Sequence, residues 1–316
     1  MSAGAPSEVR TAVVGVGYLG RHHARIHGSL PGARLVAVVD TDAARAGTIA
    51  REHGAEPLAD YRALEGRVDA VSLAVPTVAH ASIGCDLLAM GIDVLVEKPI
   101  ASSGEEADAL IAAAGLGKRI LQVGHTERYN PAVEALIASV RGPRFIEVHR
   151  LGVFSARSTD IDVVLDLMIH DLDVIVQLTG QEPERVDAIG VSALTSRVDI
   201  ANARLAFPGG AVANVTASRI SAQKIRKLRV FEPSAYHSLD YGDQQVERYA
   251  LVSKGGERVI EHGTLPVTRD EPLRREIEEF LNCVRSRREP RVTGADGRRA
   301  LALALRIAQA ADAGRA

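Results

Sequence analysis

Through the first 124 residues, short apolar runs alternate with amphipathic stretches. The runs Val9–Gly15, Leu35–Asp40, Val68–Val75, Ile92–Val96 and Ile120–Val123 are compact and rich in β-branched residues, and they read as strands. The stretches between them, Arg21–Leu30, Thr41–Glu52, Thr77–Met90 and Ser102–Ala114, read as helices. Thr41 is a plausible cap for the second. Ser102 or Ser103 caps the fourth, with Glu105 and Glu106 in its first turn. The strands are apolar throughout rather than alternating, as expected when both faces of a sheet are covered. Strand alternating with helix predicts a parallel sheet, hence an α/β domain.

After about Gly124 the texture changes. One helix (Pro131–Val140), a strand (Arg144–Leu151) and a long helix (Asp162–Leu178) are followed by strands in succession. These are Arg185–Val191, Asp199–Phe207, Ala211–Arg219, Lys224–Phe231 and Gln244–Val252. Phe207-Pro208-Gly209-Gly210-Ala211 reads as a hairpin turn. Strands without intervening helices predict a mostly antiparallel sheet, so the second domain reads as α+β. Two helices close the chain, Glu271–Arg285 and Ala295–Ala311.

A length of 316 residues suits two domains better than one. Hydrophobic residues at 46% and charged residues at 25% are those of a globular protein. A net charge of −2 gives no broad basic surface for nucleic acid or membrane, and the cluster Lys224–Arg229 reads as a solvated strand face. Cys85 and Cys283 lack paired metal-ligand spacing, so no metal site is expected, and two scattered cysteines fit a reducing cytoplasm. Residues 1–8 lack the pattern of a signal peptide, and no apolar run reaches the ~20 residues of a membrane span.

The first strand runs into Gly15-Val16-Gly17-Tyr18-Leu19-Gly20 and then a helix. In that setting the first glycine permits the tight turn, the second lets a pyrophosphate approach, and the third lets helix and strand pack closely. The helix N-terminus, with Tyr18 and Leu19 leading into it, offers N–H groups and partial positive charge to phosphate. Asp40 ends the second strand, 20 residues after Gly20. A carboxylate there binds ribose hydroxyls and repels a 2′-phosphate, so the cofactor expected for this Rossmann unit is NAD. Arg45 is expected to point away from that strand tip.

Glu97-Lys98-Pro99 follows the strand ending at Val96. Ligands of open parallel sheets bind beyond the carboxyl ends of the strands, which aims Lys98 at the nicotinamide position. In the helix Asp162–Leu178, the polar residues Asp162, Asp166, His170, Asp173 and Gln177 recur at spacings of 4, 4, 3 and 4. On an ideal helix they occupy a band of roughly 80°. The band holds neither Lys nor Arg, which suits a cleft better than a solvated face. Asp166 and His170, one turn apart, can reach one substrate carbon, and histidine can take a hydroxyl proton as hydride leaves.

These three features together resemble the glucose-fructose oxidoreductase / inositol dehydrogenase / rhizopine catabolism family over essentially the whole chain. The resemblance implies a second domain built on an open sheet, and hydride transfer at a sugar or cyclitol carbinol. It implies that Lys98 and His170 are the catalytic pair and that Asp166 contacts substrate. Pro76, Thr77 and His80 match the segment near the nicotinamide ribose, and Glu97 lies in the same cofactor region. The last helix resembles one that packs back on the Rossmann domain. The domains implied are therefore 1–124 with 292–316, and 125–291. One departure is Met168, which stands where many members carry glycine.

The segments Val123–Pro131, Phe154–Arg157, Asp162–Asp171 and Val198–Arg204 resemble a bacterial subgroup that acts on a sugar nucleotide. This narrower resemblance implies oxidation of UDP-N-acetylglucosamine at C3, in lipid A precursor synthesis. The two phosphates would need cationic partners, for which Arg128 and Arg157 are the candidates. A cyclitol or free-sugar dehydrogenase, and a non-catalytic NAD-binding regulator, remain the alternatives. An open sheet face would expose apolar strands, which implies a homodimer or homotetramer.

Overall fold

The computed structural model describes residues 8–154 and 161–313. The chain divides into two units. The first runs to His125 and takes in Leu273–Leu301; the second is Thr126–Pro272 with the chain from Ala302 onward.

The first unit carries β1 (Val9–Val14), α1 (Gly20–His27), β2 (Ala33–Val39), α2 (Ala43–His53), β3 (Glu56–Leu58), β4 (Ala70–Leu73), α3 (His80–Ala89), β5 (Asp93–Glu97), α4 (Gly104–Gly117) and β6 (Leu121–Gly124). Its six-stranded sheet has the order β3-β2-β1-β4-β5-β6, parallel throughout. This is the doubly wound order whose crevice opens between β1 and β4, where the strand order reverses. The short edge strand β3 was not expected, because a three-residue run centred on Pro57 carries no hydrophobic period. Helix α2 is capped by Asp42, whose carboxylate accepts the Arg45 N–H at 3.0 Å, and not by Thr41. Ser103 caps α4 as expected.

The second unit carries α5 (Pro131–Ser139), β7 (Phe145–Leu151), a π-helical turn (Val164–Met168), α6 (Ile169–Thr179), β8 (Arg185–Val191), β9 (Ile200–Ala206), β10 (Val212–Ser218), β11 (Ile225–Phe231), β12 (Ala235–Asp240), β13 (Gln245–Lys254) and β14 (Glu257–Thr264). Its eight-stranded sheet has the order β14-β13-β12-β11-β7-β10-β9-β8. Only the central pair β7–β10 is parallel. Ile146, Val148, Ala203, Leu205, Val215 and Leu228 are buried on one face. The other carries polar groups such as Glu147 and Arg229, paired at 2.6 Å, and a row of rings across five strands: Phe145, Phe231, Tyr236, Tyr249 and His262. Strands β12 and β14 were not expected. β14 is almost wholly exposed, so burial imposes no alternation on it.

Helix α7 (Pro272–Ser286) corrects the expected boundary at residue 291. Its Ile277, Phe280 and Leu281 share a core with Val9, Ile26, Leu95 and Ile120, so it belongs to the first unit. Helix α8 (Gly294–Ala313) is divided. Its first turns pack so closely on the first unit that a Cβ at Gly297 would lie 2.7 Å from a Val123 methyl. Further along, Arg306 donates to the Pro183 carbonyl at 3.3 Å within the second unit.

Candidate functional site

The glycine turn between β1 and α1 is shaped by contact distances. Gly15 has φ +83°, and a Cβ there would lie 2.6 Å from the Ala74 carbonyl oxygen. A Cβ at Gly20 would lie 1.8 Å from the Gly15 oxygen, so helix and strand touch only if residue 20 is glycine. At Gly17 the nearest atom to a Cβ would be the Arg45 Nη1, at 3.8 Å. Gly17 therefore borders open space, and a side chain there would intrude on it.

That space is a cavity of about 750 Å³, within the range of ligand sites. Of the expected coenzyme residues, Gly15, Gly17, Asp40 and Pro76 line it, together with Arg45 and Arg62. No side chain caps α1 at Leu19, which leaves the helix N-terminus available to phosphate. Tyr18 is 56% exposed and lies edge-on to His22. Thr77 follows Pro76 into a 3-10 turn, Thr77–Ala79. The donors, the open glycine and the volume fit a dinucleotide.

Asp40 is anchored by two backbone donors, Val16 N–H at 3.0 Å and Asp42 N–H at 2.9 Å, one to each oxygen. A carboxylate has about four acceptor positions, so both oxygens can still receive ribose hydroxyls. Arg45 does not point away as expected. Its Nη1 lies 3.7 Å from Asp40 and its Nη2 is 2.8 Å from Asp42. The arginine is long enough to fold back from α2 over the strand tip.

Two residues expected in the coenzyme site are turned inward instead. His80 is 1% exposed and its ring nitrogens face the Pro99 and Val75 carbonyls, at 2.9 and 3.0 Å. It ties the loop after β4 to the loop after β5. Burial pushes its imidazole below the ordinary histidine value, against those two carbonyls. Glu97 is buried at the end of β5, with one oxygen 2.9 Å from His23 Nε2 and the other accepting the Lys98 N–H at 3.2 Å. Burial works to raise the Glu97 carboxyl. The His23 hydrogen bond and the charges of His23 and Lys98 outweigh it, so Glu97 is held below its usual range as an anion. Lys98 is half-buried beyond the strand end.

In the second unit, Asp166 sits in the π-helical turn and His170 in the first turn of α6, both half-buried. The Ile169 N–H reaches back to the Val164 carbonyl, so the ideal-helix angle used for the polar band does not hold across this stretch. The band itself divides. Asp173 is not open to a cleft: its carboxylate takes two hydrogen bonds from Arg128, at 2.6 and 2.8 Å, and both residues are buried. Arg128 therefore serves a buried ion pair rather than the phosphate contact expected of it. Asp171, off the band, is likewise buried against Arg150 at 2.6 and 3.0 Å. Arg150 also reaches Glu127 at 3.2 Å and covers the Tyr241 ring. Arg157 lies outside the described residues.

Sequence reasoning missed His23 and the Arg150–Asp171 pair, and it misplaced Arg45. His23 was legible in principle, as a polar residue on the buried face of α1. The arginine pairs join positions more than twenty residues apart, which no local period reveals. Among the described residues no three metal-ligating side chains converge, and no helix is long and apolar enough to cross a membrane.

Comparison with known proteins agrees with this geometry. Residues 9–125 match the model described as "Oxidoreductase family, NAD-binding Rossmann fold", and residues 106–231 match the GFO/IDH/MocA C-terminal domain. A UDP-N-acetylglucosamine 3-dehydrogenase of Acidithiobacillus ferrooxidans is 38% identical over 96% of this chain and 98% of its own length. A solved structure of that enzyme superposes with a TM-score of 0.90 over 97% of this chain and 98% of the other. The scyllo-inositol 2-dehydrogenase (NAD(+)) of Bacillus subtilis is 29% identical over 92% of this chain and 90% of its own. Levoglucosan dehydrogenase in complex with NADH and levoglucosan shares the fold, at 17% identity and a TM-score of 0.86 over 97% of this chain and 98% of the other. The chain belongs to the GFO/IDH/MocA family of oxidoreductases with an NAD-binding Rossmann fold.

Proposed function

We propose that this chain oxidises the C3 hydroxyl of UDP-N-acetylglucosamine to the ketone. NAD+, held along Gly15–Gly20 and by Asp40, supplies the hydride acceptor. His170 takes the hydroxyl proton on an imidazole nitrogen as the carbon–hydrogen bond breaks. Lys98 presents its ammonium to the reacting oxygen and polarises it; the two roles could be exchanged. Asp166, four residues before His170, accepts a hydrogen bond from the sugar. The ketone product suits a later aminotransferase, as in lipid A precursor synthesis.

One observation carries the reading: 38% identity to a UDP-N-acetylglucosamine 3-dehydrogenase extends over 98% of that enzyme's length. A cyclitol substrate is the second reading, supported by the B. subtilis scyllo-inositol enzyme at 29% identity. Incubation with NAD+ and a panel of UDP sugars and cyclitols separates the two. NADH absorbance is expected to rise with UDP-N-acetylglucosamine once the ketone is trapped or aminated. Turnover of a cyclitol with none of the UDP sugar would overturn the assignment. Lys98→Met and His170→Ala are each expected to lower kcat by roughly 100-fold or more, with NAD+ affinity nearly unchanged.

The reading includes a cytoplasmic location and a homodimer or homotetramer. Support for self-association comes from exposed apolar residues on the second sheet, among them Val191, Phe231, Tyr249 and Leu251. Light scattering coupled to size exclusion tests it, and a monomer at micromolar concentration would refute it.

A further inference from the structure

Behind Lys98 lies a polar arrangement that the proposed chemistry does not use. His23, on α1, is 0% exposed, and the only hydrogen-bond partner of its ring among the described residues is Glu97, since Nδ1 is buried without one. Glu97 is gripped at both oxygens, by the His23 ring and by the backbone N–H of Lys98. Gly124, its neighbour on β6, leaves just enough room: a Cβ there would stand 3.1 Å from the carboxyl carbon and from both oxygens. Three elements thus converge on one buried anion directly before Lys98.

Such an arrangement costs stability relative to apolar side chains of similar volume, because desolvation of a carboxylate is only partly offset by its partners. A strand end needing nothing but packing would be served by leucine. The charge is useful if its task is to hold the next residue. It restrains the Lys98 backbone through a hydrogen bond and attracts the Lys98 ammonium.

We infer that His23 and Glu97 are positioning residues for Lys98, fixing its backbone and ammonium through the buried carboxylate. The inference rests on the reading of Lys98 given above and deepens it.

Three variants test it: His23→Leu removes the donor at similar volume, His23→Gln keeps an N–H at the same reach, and Glu97→Gln keeps shape without charge. Two readouts are taken for each. The first is kcat with UDP-N-acetylglucosamine alongside NAD+ affinity. The second, which needs no turnover, is the acylation rate of each lysine, read by mass spectrometry of peptides. His23→Leu and Glu97→Gln are expected to lower kcat at least about tenfold with NAD+ affinity held within about threefold. They are expected to change the Lys98 acylation rate at least about threefold while leaving Lys118 as in the wild type. His23→Gln is expected to recover most of both. Wild-type kcat and Lys98 reactivity in His23→Leu and Glu97→Gln would overturn the inference. So would equal changes at Lys98 and Lys118, which mark general loosening. Lys98→Met run in parallel separates the two failures. If it turns over normally, the reading of Lys98 fails. If it is inactive while His23→Leu and Glu97→Gln behave as wild type, only the positioning role fails.

Discussion

Arg128 and Asp173 meet through two hydrogen bonds, 2.6 Å from Nε to one carboxylate oxygen and 2.8 Å from Nη2 to the other. Both are buried, so removing Arg128 takes the paired cation from the buried Asp173 carboxylate. Arg128→Met is expected to cost about 3–5 kcal/mol in urea unfolding, and a second change, Asp173→Leu, to restore more than half. A phosphate-binding arginine would behave otherwise: its loss would raise the KM for a UDP sugar and leave stability alone.

Gly17 and Gly20 separate coenzyme access from folding. A Cβ at Gly20 would sit 1.8 Å from a backbone oxygen, whereas one at Gly17 would meet nothing within 3.8 Å. Gly20→Ala is expected to lower the melting temperature sharply. Gly17→Ala is expected to shift stability by no more than about 1 kcal/mol while weakening NAD+ binding tenfold or more, by occupying the space of the pyrophosphate. Calorimetric titration beside a thermal melt reads both, and a Gly17→Ala protein with wild-type affinity would contradict the open-cavity reading.

His27 makes the first unit sensitive to acid. It is fully buried against Ser72, at 2.8 Å, and burial, with the nearby His23 charge, pushes its imidazole down to about 3. The unfolded chain therefore binds a proton that the folded chain refuses, between the ordinary histidine value near 6.5 and about 3. Stability rises with pH in that window, by up to about 1.4 kcal/mol per unit from this residue alone. Urea midpoints are expected to fall from pH 7 to pH 5, and His27→Leu to flatten that slope.

The π-helical turn sets how Asp166 and His170 face each other. Deleting Leu167 lets the stretch relax to α geometry and changes the angle between Asp166 and His170. The expected product keeps its helical circular dichroism and loses turnover. Retained activity would show that the extra residue is not needed.

The first unit was legible because its strands are covered on both faces and so spell themselves out as apolar runs, punctuated by glycine turns. β1, β5 and α4 were placed within a few residues in this way. The chemistry was less legible. Lys98 and His170 could be singled out, yet nothing local shows that Glu97 turns inward to His23 or that Asp173 is buried with Arg128. Those depend on which distant side chain arrives at the same point. The π-helical turn was hidden for another reason: a period of 3.6 fits Asp166 and His170 tolerably whether or not one hydrogen bond skips a residue.

Helix α7 has a consequence for how the protein is made. Ile277, Phe280 and Leu281 complete a core begun by Val9, Ile26, Leu95 and Ile120. A ribosome that has just released residue 125 still has about 150 residues to add before that core can close. At ~5–20 residues per second, the nascent β-sheet waits roughly 7–30 s with one apolar flank bare. During translation this interval, rather than the equilibrium stability of the finished fold, sets the window in which chaperones or aggregation compete for the chain.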